Sequence, residues 1–198
     1  MAKSYQRTLI AAVLSLASMI GCENAADFSS VAEPAAPQLA ALAVKDVKVV
    51  TRLFNRAGGM AVSDFVTNSQ TATLEVGKYR LVVPRNAVRK PTRFVMIVLD
   101  NQMVGVKLFA YDEEWKPVTQ FHRPVQLTLP YDEADLSARG RQDKLYIANV
   151  VSENDATILD VVAARADERS QTVSGDLYHF SVWSLAVQFT KEFSPAID

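Results

Sequence analysis

From Asp46 onward the chain is broken into short β-branched and aromatic runs, none long enough for a helix and each bounded by turn-forming residues. The runs are "DVKVVTRLF", "KYRLVVP", "TRFVMIVL", "VGVKLFAY", "PVQLTLPY", "KLYIANVV", "ATILDVV", "SQTVSG" and "LYHFSVWSLAVQF". Eight or nine strands at this spacing, with no sustained 3.6-residue stripe between them, predict an all-β antiparallel sandwich, immunoglobulin-like in outline. A single turn of helix is conceivable only in "YDEADLSARGR". Pro84 lacks an N–H and should end its strand, with Arg85 and Asn86 turning the chain. Gly58-Gly59 and Gly77 mark further turns, and Asp112-Glu113-Glu114 forms a hairpin-like connection with Trp115 at its exit. Leu127 and Leu129 alternate with Gln126 and Thr128, which puts one face of that strand on the core.

The N-terminus reads differently. Lys3 and Arg7 precede an apolar run from Leu9 to Ile20 that is too short to span a bilayer, and Gly21 then meets Cys22. This is the layout of an export signal over residues 1–21. "SMIGC" is similar to a bacterial lipobox, although Met19 and Ile20 depart from the usual residues. Cys22 is the only cysteine, so it is the expected lipidation site, and no internal disulfide can form. Two or three acyl chains, each contributing about 0.8 kcal/mol per buried CH2, would anchor the protein stably. Residues 22–45 are rich in alanine and carry Pro34 and Pro37, which suits a flexible tether. The sandwich is expected over residues 46–192, and residues 193–198 form a tail.

Removing residues 1–21 takes away two cations and no acid, so the formal net charge moves from −1 to −3. Such a balance gives no electrostatic reason to expect nucleic acid. The expected setting is the cell envelope, periplasmic face or cell surface, with the membrane as one partner and an envelope protein or glycan as the other.

The succession "YRLVVPRNAV", "VKLFAYDEEWKPVTQFHRPVQLTLPYD" and "VSGDLYHFSVWSLAV" after Gly58-Gly59 resembles the ZU-five domain. This β-sandwich occurs in ankyrins, netrin receptors and zonula occludens protein, and in bacterial exported proteins. The resemblance covers about residues 57–189. Asn86 stands where the family usually has glycine, and only Pro84 of the usual proline pair is present. The resemblance implies a ZU-five-like fold and a non-catalytic interaction surface. A subset of the family cuts itself at a His-Phe-Ser triplet, so it also implies an alternative in which His179 is the base, Ser181 the nucleophile and Phe180-Ser181 the cut bond. Ser181 would attack the Phe180 carbonyl, moving the acyl group from nitrogen to oxygen before hydrolysis. The residues themselves favour an intact strand. Leu177, His179, Ser181, Trp183, Leu185 and Val187 fall on one face, with Tyr178, Phe180, Val182 and Ala186 on the other, as in a strand covered on both sides. In a regular strand His179 and Ser181 would stand about 7 Å apart.

The remaining candidates are surface features. Tyr111, Trp115, Phe121 and Tyr131 surround one connection and form a candidate platform for a sugar ring or peptide. Arg85, Arg89, Lys90 and Arg93 form a basic group that suits lipid headgroups or an acidic partner. Asp112-Glu113-Glu114 and Asp132-Glu133-Asp135 lack the alternation and glycine of a calcium loop. His122 has no second histidine near it, so no metal site is expected and no cofactor beyond the Cys22 lipid. No nucleophile elbow, phosphate loop, H-E-x-x-H or C-x-x-C occurs, which argues against ordinary hydrolases, nucleotide enzymes and redox enzymes.

Overall fold

A computed structural model describes residues 47–54, 59–136 and 145–188. The expected signal segment, Cys22, the tether, Gly58 and the tail lie outside the described residues. Those described form eleven strands and no helix: β1 Val47–Val49, β2 Met60–Val66, β3 Ala72–Val76, β4 Tyr79–Val83, β5 Thr92–Val98, β6 Gly105–Asp112, β7 Val125–Pro130, β8 Leu145–Ser152, β9 Asp155–Asp167, β10 Thr172–Leu177 and β11 Val182–Gln188. Every pairing is antiparallel.

The strands follow the order β2-β5-β6-β11-β8-β9-β10-β7-β4-β3, with β1 added beside β11. The two ends of this order, β2 and β3, are consecutive in sequence and are separated only by residues 67–71. The sheet therefore nearly closes into a barrel-like form. One strand carries the chain around the corner: β9, thirteen residues long, pairs with β8 as far as Ala163 and with β10 from Ala164 to Asp167. Where these three strands meet, Gly175 leaves room for Ala163 O, Ile147 Cδ1 and Val162 Cγ2, each 3.2 Å from where a Cβ would sit.

The inward residues fill one core. Leu81, Phe94, Met96, Leu127, Leu129, Ile147, Trp183 and Leu185 are almost wholly buried, each contributing about 1.5–3 kcal/mol of transfer free energy. The expected alternation in β7 is present, with Leu127 and Leu129 buried and Gln126 exposed. β4 ends at Val83, before Pro84, and Asn86 takes a positive φ of 63° in the following turn.

The structure corrects the strand assignment in two places. Strands β2 and β3 were not expected. β2 is exposed along most of its length, with only Val66 buried, so its sequence "MAVSDFV" carries little of the apolar signal that marks a half-buried strand. The second correction concerns the closing run, which is two strands rather than one. Leu177 pairs with Val125 of β7, whereas Val182 pairs with Lys107 of β6 and Val150 of β8. Residues 178–181 are the bend that takes the chain from one ladder to the other.

β11 itself is buried on both faces from Val182 to Val187. On one edge it holds β8, and on the other β6 followed by β1. Its contact with β6 is close: a Cβ on Gly105 would lie 2.3 Å from Trp183 O and 3.0 Å from Ser184 Cα.

Under the loops at one end lies a buried polar network. Arg52, with a side chain 3% exposed, places Nε 3.2 Å from Glu133 Oε2, an ion pair lying off the line of a hydrogen bond. Its Nη1 donates to Leu99 O at 3.0 Å and Asn101 O at 3.1 Å, and its Nη2 to the Tyr79 hydroxyl at 2.8 Å. Tyr79 donates in turn to Glu133 Oε2 at 2.9 Å. Burial raises the Tyr79 pKa well above its ordinary value, so the hydroxyl remains a donor at any physiological pH.

Candidate functional site

The outer face of β2, β5 and β6 is where exposed aromatic chemistry gathers. Register sets it up. Phe65 lies opposite Arg93, and Arg93 opposite Tyr111, one row across three strands; the next row is Ser63, Val95 and Phe109. Because alternate residues face opposite sides of a sheet, the same strands send Phe94, Met96, Leu108 and Ala110 into the core.

After β6 the chain turns back on itself. Asp112 Oδ1 accepts from the Glu114 and Lys116 N–H groups, both at 2.9 Å, and Asp112 N donates to Lys116 O. This tight loop holds Trp115 at a positive φ of 62°, a region that costs a residue with a Cβ about 1–2 kcal/mol. Yet Trp115 is 70% exposed, so burial offsets little of that cost. The indole leans on its neighbours: its ring centre is 6.1 Å from that of Tyr111, and Arg93 Cζ lies 5.9 Å from it. Tyr111 stacks on Phe109 at 6.2 Å. Between them is a shallow depression of about 210 Å3 lined by Phe65, Arg93, Asp112, Glu113 and Trp115.

The four aromatics grouped by sequence do not stay together. Tyr111 and Trp115 are neighbours on the surface. Phe121 is 8% exposed and packs in the core, and Tyr131 is 3% exposed with its hydroxyl near Asp167 O. Phe65 shares the depression with Trp115, and Phe109 stacks on Tyr111; sequence reasoning missed both. Phe65 sits in a strand that was not expected, and Phe109 was read only as part of an apolar run.

The basic group is also divided. Arg93 belongs to the aromatic face, while Arg85, Arg89 and Lys90 are exposed on the loop before β5. That loop is tied to the 119–123 segment by His122 N donating to Ala87 O at 3.0 Å. Asp132 pairs with Lys78 and Glu133 with Arg52. Among the described residues no three metal-ligating side chains converge.

His179, Phe180 and Ser181 sit in the bend, each half-buried. The bend is pinned on both sides, by Phe121 N donating to Tyr178 O at 3.2 Å and Leu108 N to Ser181 O at 3.0 Å. Phe180 inserts between Phe121 and Phe94, with ring centres 4.6 and 5.4 Å away. The His179 ring lies 5.2 Å from that of Trp183. Among the described residues, positive φ angles occur at Gly77, Asn86, Trp115 and Gln171, outside the triplet.

Neither the protein-family models nor the curated proteins searched match this chain. Its function must therefore be argued from the site itself.

Proposed function

We propose that the chain is a lipid-anchored, non-catalytic binding module of the cell envelope, and that the outer face of β2, β5 and β6 is its binding surface. The observation that carries this reading is Trp115, held in a left-handed conformation with its ring turned mostly to solvent. A strained backbone that displays a large aromatic adds little to folding but suits recognition. We further read the barrel-like sheet as a flattened ZU-five-like sandwich with β9 as the strand shared by its two layers. The anchor rests on the sequence around Cys22 alone.

Two measurements test this reading together. Cys22→Ser should move the protein from the membrane fraction to the soluble one, and retention would remove the lipid anchor from the proposal. A photoreactive residue in place of Glu113, at the rim of the depression, should form cross-linked adducts in intact cells. The same residue in place of Glu168, exposed in the turn after β9, should not. Equal adducts from both positions, or none from either, would count against the proposed surface.

A second reading, self-cleavage between Phe180 and Ser181, gains from the bend, because the triplet is not locked into regular strand pairing. Intact-mass measurement after prolonged incubation distinguishes it: a chain that stays whole, matching a Ser181→Ala variant, ends this alternative.

A further inference from the structure

We propose that the depression between Phe65, Arg93 and Trp115 is a subsite for one neutral pyranose residue of a glycan, an inference that rests on the β2-β5-β6 face being the binding surface. Its lining combines two kinds of chemistry at close range. Phe65 is 44% and Trp115 70% exposed, so both offer ring surface to a ligand. Around them stand the guanidinium of Arg93 and the carboxylates of Asp112 and Glu113. Arg93 makes no ion pair among the described residues, although two acids share its depression. Asp112 commits Oδ1 to the Glu114 and Lys116 amides, which leaves Oδ2 and the Glu113 carboxylate as acceptors beside the Arg93 donors.

A pyranose presents the matching surface: an apolar face of C–H groups that stacks on an aromatic ring, rimmed by hydroxyls that both donate and accept. Carboxylates and a guanidinium answer those hydroxyls in complementary ways. One guanidinium and two carboxylates leave the site a single net negative charge, which disfavours an anionic ligand, whereas a rim of neutral hydroxyls pairs with groups of both signs at once. The space, about 210 Å3, is below the range of drug-sized pockets and suits a single ring rather than an extended peptide. Further sugar units would continue over Tyr111 and Phe109, whose rings follow Trp115 along the same face.

The test uses the full chain in a detergent without a sugar headgroup, titrated with neutral oligosaccharides of hexose and N-acetylhexosamine units. Calorimetry and tryptophan fluorescence are the readouts. The second tryptophan, Trp183, is 1% exposed and supplies a constant background. At least one glycan should bind saturably. Trp115→Gly should weaken that binding about tenfold or more while leaving the thermal midpoint unchanged or higher, since glycine accepts the positive φ without strain. Phe65→Ala should also weaken it.

Absence of saturable binding across the panel, or binding that survives Trp115→Gly, overturns the proposal. If the cross-linker at position 113 traps a protein while every glycan fails, the sugar subsite is wrong and the binding surface stands. If both fail, both are wrong.

Discussion

Gly105→Ala is expected to destabilise the domain by about 3 kcal/mol or more, the upper range for forcing atoms into a packed interior. The added methyl would meet Trp183 O at 2.3 Å, and that oxygen belongs to a backbone paired on both edges. No side chain can swing away to make room, so β6 and β11 must separate where the sheet is continuous. The strain outweighs the roughly 0.4–1 kcal/mol that alanine gains by restricting the unfolded chain. Gly175→Ala is the comparison. There the nearest atoms lie at 3.2 Å, and two of the three are side-chain tips of Ile147 and Val162, so a loss of about 1 kcal/mol or less is expected. Urea unfolding of both variants decides the matter; equal losses would contradict this account of the β6–β11 approach.

Arg52→Leu is the second large effect. The substitution keeps apolar volume but removes the cation that joins Glu133, Tyr79, Leu99 O and Asn101 O. Removing one partner of a buried charge pair costs about 3–5 kcal/mol, and the lower end applies because the Glu133 side chain is 25% exposed. A loss of about 3 kcal/mol corresponds to roughly 6–12 °C in midpoint for a domain of this size. Arg52→Leu combined with Glu133→Leu should recover part of the loss, since the uncompensated carboxylate is then gone. A double variant as unstable as the sum of the single ones would show that the ion pair contributes nothing of its own.

Both sites show where sequence reading stops. The all-β antiparallel class was legible because it rests on local signals: β-branched runs, Pro84 ending β4, and the Leu127/Leu129 alternation. Gly105 looked like any glycine inside an apolar run, because the oxygen that forbids a side chain lies 78 residues further along. Nothing local marks Arg52, because its partners come from the start of β4 and from the loops after β5 and β7. The same distance in sequence hid Phe65 from Trp115. Conversely, Phe121 and Tyr131 were grouped with Trp115 by proximity along the chain, and the fold took them inside. Local pattern identifies strands, but only register says which residues share a face.

The arrangement around β11 also bears on how the chain is made. Within the described residues it is the last strand to be synthesised, yet β1, β6 and β8 all take it as a partner. Until residue 188 has left the ribosome those three strands have no common neighbour, and much of the core has no wall. Pairings this distant in sequence form slowly. A nascent chain whose closing strand comes late is held open by its own topology, so its apolar strands stay exposed to wrong partners and to proteases until β11 has been made.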